Sequence, residues 1–156
     1  MSLDKLTIVG AGLLGGSLGL AAKERSLAKR VTALVRRQES VSECQALGVA
    51  DEVTLDEVEA IAAADVVVLC TPVASMAGLA KRWLSHLKNG ALVTDVGSTK
   101  RQLVDELTPL TASVGAHFVG SHPMASSAQA GPSAARADLF DGAVCVITPT
   151  RDTDAG

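Results

Sequence analysis

Residues 7–15 read Thr-Ile-Val-Gly-Ala-Gly-Leu-Leu-Gly, an apolar run that breaks into glycines at Gly10, Gly12 and Gly15. The spacing is G-x-G-x-x-G, placed where a strand would turn into a helix. Leu6, Ile8 and Val9 precede the glycines, and Leu13, Leu14, Leu18, Ala21 and Ala22 follow at helical spacing. Gly10 permits the tight turn, Gly12 lets a pyrophosphate approach the backbone, and Gly15 lets the helix pack close to the strand. The first helical residues, Leu13 and Leu14 among them, offer free N–H groups and a partial positive charge to phosphates. The bland alternative is a glycine-rich turn that holds no ligand.

Outward from this turn, strand-like and helical patterns alternate to the end of the chain. Strands are expected at Leu6–Val9, Val31–Val35, Val66–Cys70, Ala91–Asp95, Phe118–Gly120 and Ala143–Ile147. Helices are expected near Leu13–Ser26, Ser40–Leu47, Leu55–Ala63, Ser75–Leu87, Lys100–Leu110 and Ala134–Leu139. In the fourth helix Met76, Leu79, Ala80, Trp83, Leu84 and Leu87 fall on one face, which assigns Trp83 to the core. Strands that are apolar throughout, such as Val66–Cys70, suit a parallel sheet covered on both faces. The alternation predicts a Rossmann-type, doubly wound α/β fold with a mostly parallel sheet and helices on both faces. Residues 1–148 form this dinucleotide-binding domain. Residues 149–156 are a polar tail, from which the chain is expected to be a fragment of a longer enzyme.

Composition narrows the function. Apolar residues are 47% of the 156 and charged residues 20%, the balance of a folded domain. A net charge of −3 argues against a nucleic-acid surface. Neither a membrane-spanning stretch nor a signal-peptide pattern occurs. Cys44, Cys70 and Cys145 form no C-x-x-C, so no metal site is expected; Cys70 and Cys145 lie in strand-like runs and read as small packed hydrophobes. A reducing cytoplasm is the simplest assignment.

The residue closing the second strand tests NAD against NADP. An acid there would bind the ribose hydroxyls of NAD. Val35 stands there instead, followed by Arg36 and Arg37. A guanidinium pairs with a 2′-phosphate, so NADP is the expected cofactor, with Arg36 as main contact and Arg37 and Ser40 as helpers. A solvated basic turn, with Glu39 as a displaced ribose ligand and NAD as cofactor, is the alternative.

Ligands of such sheets bind beyond the carboxyl ends of the strands. Three strand ends carry chemistry. At Cys70-Thr71-Pro72-Val73 the proline holds an extended turn at the crevice, where Thr71 is expected to touch the nicotinamide side; a plain strand-to-helix turn is the alternative. At Thr94-Asp95-Val96-Gly97-Ser98-Thr99-Lys100, Ser98 or Thr99 is expected to cap the next helix, while two hydroxyls beside Lys100 suggest substrate contact. At Phe118-Val119-Gly120-Ser121-His122-Pro123-Met124, a histidine fixed by a following proline suits proton transfer near neutral pH, the alternative being an ordinary loop histidine. His117 and His86 read as surface residues.

Together these segments resemble the prephenate/arogenate dehydrogenase family of tyrosine biosynthesis. The resemblance rests on VGAGLLGGSL (Val9–Leu18), LCTPV (Leu69–Val73), TDVGSTK (Thr94–Lys100), FVGSHPMA (Phe118–Ala125) and ARADLF (Ala135–Phe140). The last three, in this order, are the specific ones. The resemblance implies oxidative decarboxylation of a cyclohexadienol, with hydride passing to NAD(P). It implies that His122 takes the ring hydroxyl's proton, that Ser98 orients that hydroxyl, and that Lys100 acts electrostatically. It also implies a helical C-terminal domain, absent here, that makes a homodimer and supplies an arginine for a substrate carboxylate. On that basis this chain should bind NADP but turn over poorly. Ser121 and Ser126 stand where the family often has glycine, which narrows backbone freedom beside the site. Ala128 and Gln129 replace a Glu-Lys pair of prephenate-preferring members, which points to arogenate or dual use. Other readings are a different NADP-linked reductase, of the pyrroline-5-carboxylate reductase or β-hydroxyacid dehydrogenase type, and a non-catalytic NADP sensor.

Overall fold

The computed structural model describes residues 2–125, 127–151 and 153. Strands and helices alternate as β1 (Leu3–Val9), α1 (Leu13–Glu24), β2 (Ala28–Leu34), α2 (Gln38–Ala46), β3 (Glu52–Thr54), α3 (Glu57–Ile61), β4 (Val66–Leu69), α4 (Val73–Trp83), β5 (Leu92–Asp95), α5 (Arg101–Ala112), β6 (His117–Pro123) and β7 (Cys145–Thr148). One sheet takes all seven strands in the order β3-β2-β1-β4-β5-β6-β7. The pairs from β3 to β6 are parallel, and only β7 runs antiparallel, against β6. This is the doubly wound α/β architecture expected from the alternation. Its order reverses between β1 and β4, which makes the crevice beyond their carboxyl ends the natural ligand site.

Two apolar layers cover the sheet. On one face Ala60 and Ile61 of α3, Met76, Ala80 and Trp83 of α4, and Leu103 and Leu107 of α5 pack over Leu69, Val93 and Phe118. On the other, Ala22 of α1 and Cys44 of α2 pack over Leu6, Ile8 and Val31. Trp83 is fully buried, as its place on the apolar stripe requires. The five-residue α3 is pinned from below: Thr7 Oγ1 donates to the Ala60 carbonyl at 2.6 Å, and Lys5 Nζ donates to the Glu59 and Ala62 carbonyls at 2.8 and 2.9 Å. Burial pulls the Lys5 ammonium below its ordinary value.

The structure corrects the sequence reading at four places. β3 was not expected: three residues on the sheet edge, none of them buried, carry no apolar alternation. The helix expected over Ala134–Leu139 is a single 3-10 turn, Pro132–Ala134, followed by extended and turn conformations. Tertiary docking decides here, because the Arg136 N–H donates to buried Ser17 Oγ of α1 at 3.0 Å. Cys145 is exposed on β7 and not packed, since the strand's outer neighbours Val144, Val146 and Ile147 are exposed too. Neither Ser98 nor Thr99 caps α5. The N-cap is Lys100, no side chain bonds the first turn, and both hydroxyl residues stand exposed. Ser126 lies outside the described residues.

Candidate active site

The glycine turn is built to leave space in front and none behind. Gly10 sits at φ +95°, in the left-handed region that favours glycine, and a Cβ there would stand 2.9 Å from Thr71 Cγ2. A Cβ on Gly15 would fall onto the Gly10 carbonyl oxygen and lie 3.0 Å from Ile8 Cγ2. A Cβ on Gly12 would meet nothing within 4 Å, so this residue faces open space. Gly12 is also the N-cap of α1, with no side-chain cap and no acid in the first turn. The helix therefore presents uncapped N–H groups to that space, which suits an anion. Thr71 Oγ1 is buried here without a hydrogen-bond partner among the described residues, a polar atom that a bound polar ligand would satisfy.

Beside the turn runs a crevice of about 700 Å³. Of the expected cofactor residues, Gly10, Arg36, Thr71 and Pro72 line it. Gly12, Leu13, Leu14 and Gly15 form the helix start alongside. Arg37 is the N-cap of α2 and Ser40 lies in its first turn; neither is in the lining. Leu55, Glu57, Ser75, Leu79 and Arg82 also line the crevice. Their sequence signal is weak, because each becomes a wall only once α3 and α4 are packed side by side. We expect Gly15→Ala to cost about 2–3 kcal/mol, since the new methyl collides with backbone, and to weaken nucleotide binding. A denaturant melt and a nucleotide titration check both.

The second half of the site lies at the carboxyl ends of β5 and β6, organised by a residue the sequence reading passed over. Asp95 ends β5 and is fully buried. Its carboxylate accepts from Gly97 N–H at 2.8 Å, from Ser121 N–H at 3.2 Å and from the Lys100 ammonium. Lys100 Nζ also donates to the Ser121 carbonyl at 2.7 Å, and its side chain is only 14% exposed. The ammonium is thus spent on the peptide that precedes His122. Ser121 fits where glycine was expected: its hydroxyl donates to the Asp95 carbonyl, and Thr94 Oγ1 lies 3.2 Å away. Burial and the nearby Asp95 carboxylate push the Cys70 thiol up to about 12, so it stays protonated.

His122 is half-buried near the end of β6. The strand runs past the expected Gly120 to Pro123 because β7 supplies an antiparallel partner, pairing His122 with Val146. Ser98 stands exposed in the loop after neighbouring β5. His117 and His86 are exposed.

Comparison with known proteins adds the family. The model of the prephenate dehydrogenase nucleotide-binding domain matches residues 18–156. The chain belongs to the prephenate dehydrogenase family. It is 35% identical over 152 residues to the prephenate dehydrogenase of Bacillus subtilis, covering 97% of this chain and 41% of that protein. Among solved structures, prephenate dehydrogenase from A. aeolicus in complex with hydroxyphenyl propionate and NAD+ superposes with a TM-score of 0.89 at 31% identity. That match covers 99% of this chain and 53% of the other. Synechocystis arogenate dehydrogenase superposes with a TM-score of 0.88 at 30% identity, covering 97% and 52%. The chain thus spans about half or less of the length of these family members. No helix among the described residues is long and apolar enough to cross a membrane.

Proposed function

We propose that this chain is the cofactor-binding half of an enzyme that oxidatively decarboxylates arogenate, prephenate or both, in tyrosine biosynthesis. The observation that carries the reading is the alignment of two half-sites along one sheet edge. The uncapped glycine turn lies beyond β1, beside β4, while Ser98 follows β5 and His122 lies near the carboxyl end of β6. A nicotinamide dinucleotide fits the residues present. Gly12, Leu13, Leu14 and Gly15 would hold the pyrophosphate, and Thr71 and Pro72 would border the ring. That ring, when bound, supplies a hydride acceptor.

The protein's own residues do the rest. His122 accepts the proton of the substrate's ring hydroxyl, which makes loss of hydride from the same carbon easier. Ser98 orients that hydroxyl. Lys100 and Asp95 are positioning residues that hold the Ser121–His122 peptide in place. Loss of carbon dioxide then follows from the aromaticity gained, and the site need only orient the ring. The remainder of the longer enzyme would supply the contact to the substrate carboxylate and the dimer interface, so this half alone should turn over poorly. The test is a rate measurement on the protein extended to family length, with arogenate or prephenate and NADP or NAD. Turnover with neither substrate would refute the reading.

NADP is the preferred cofactor in this proposal, because Arg36 lines the crevice where an acid would repel a 2′-phosphate. Arg36→Ala should weaken NADP binding by about 10- to 100-fold, the worth of a charge-assisted hydrogen-bond pair, and leave NAD nearly unchanged. Paired titrations with the two cofactors check this. Equal losses for both would return Arg36 to a solvated turn.

A further inference from the structure

Two charged residues that line the crevice are not among those assigned above to phosphates or ribose. Glu57 opens α3, and Arg82 lies in the last turn of α4. They meet across the crevice: Arg82 Nε donates to Glu57 Oε2 at 3.1 Å, and Arg82 Nη2 donates to Glu57 Oε1. The pair lies at a defined distance from the glycine turn. Pro72, the N-cap of α4, directly follows Thr71, which stands against Gly10 of the turn. Ser75, Gly78, Leu79 and Arg82 then follow on one helix face at spacings of three and four, and all four line the crevice. Ser75 to Arg82 spans about 10 Å of helix. The walls between the two ends are apolar: Val9, Leu34, Val35, Leu55 and Leu79. The crevice is therefore a slot with an anion-seeking end, greasy sides and an acceptor–donor pair at its far end.

Such a slot suits a flat heteroaromatic base, whose faces are apolar and whose edge is polar. The polar end is not saturated. A carboxylate offers about four acceptor sites and a guanidinium five N–H donors, and their mutual contact uses two of each. Both side chains remain partly open to a ligand, Arg82 at 60% and Glu57 at 27% exposure. Adenine carries an exocyclic amine donor beside a ring-nitrogen acceptor. We propose that Glu57 and Arg82 read this edge: the carboxylate accepts from the amine, the guanidinium donates to the ring nitrogen, and the pair selects adenine over other purines. The inference rests on the dinucleotide reading of the crevice. A 2′-phosphate is a poor occupant of this end, because the Glu57 carboxylate stands against it.

Hypoxanthine dinucleotides supply the test, because a carbonyl oxygen replaces the amine and would face the Glu57 carboxylate. Calorimetric titration of the purified protein with NADP, NAD and their hypoxanthine analogues reads binding without turnover. The adenine forms should bind about tenfold tighter or more, since a site built for a donor rejects an analogue that lacks it. Glu57→Gln, whose amide can donate to the carbonyl, should shrink that preference to about threefold or less. Arg82→Met should weaken the adenine forms. Equal affinity for adenine and hypoxanthine forms in the unaltered protein would overturn the proposal. So would a Glu57→Gln variant that loses affinity for both alike, which is the mark of a purely structural ion pair. The unaltered-protein comparison stands even if a variant fails to fold. Failure of every dinucleotide to bind would overturn the dinucleotide reading itself.

Discussion

His122→Asn should lower kcat by about 10²- to 10⁴-fold, the usual contribution of a positioned general base. Asparagine keeps a polar side chain of similar reach but cannot accept and hold a proton. Cofactor affinity should stay within error, because His122 sits near the carboxyl end of β6, paired with β7, and does not line the crevice. β6 must keep its pairing for the comparison to be fair, and His122 pairs through its backbone, which the substitution leaves alone. Turnover within about threefold of the unaltered enzyme would fall below what a general base supplies and would remove His122 from the mechanism.

The second large effect concerns stability. Lys100→Met leaves the Asp95 carboxylate fully buried with two N–H donors and no countercharge. Removing one partner of a buried pair costs about 3–5 kcal/mol. For a chain of this size that is a fall in Tm on the order of 10 °C. The double variant Asp95→Leu/Lys100→Met should recover part of the loss, because an apolar pair replaces a stranded charge. Its activity should nevertheless stay low, since nothing then ties Gly97 and Ser121 to the end of β5. Calorimetric melts of the three proteins decide the matter. A Lys100→Met variant as stable as the parent would mean that Asp95 needs no cation.

The alternation of strands and helices was legible because each buried strand is short and apolar and each long helix shows its period. What was not legible has particular causes. β3 is three non-buried residues whose pairing depends on β2. The segment after Pro132 has a helical composition, but small residues on α1 draw it into contact: a Cβ on Gly16 would stand 2.8 Å from Ala135 Cβ, and Ser17 accepts the Arg136 N–H. Asp95 could have been found, since a lone acid closing an apolar strand five residues before a lysine is a signal. Glu57 and Arg82 could not, because they are 25 residues apart and share no motif. The glycine turn was legible because its fingerprint fits in six consecutive residues, and the contacts that demand glycine lie within it, in β1, or at Cys70 and Thr71 just past β4.

The reversed last strand fixes a direction of travel. Six strands point their carboxyl ends at the nucleotide turn and His122, but β7 descends from Cys145 beside Pro123 to Thr148 beside Gly120. The backbone therefore departs from the side where the parallel strands begin. A segment that came from here to the substrate would start with its back to the chemistry. To reach the substrate it must climb again along the outer flank of the sheet, where Val144, Val146 and Ile147 are exposed as footholds. An active site completed by such a segment would be closed from the outside, like a flap folded up over an open pocket.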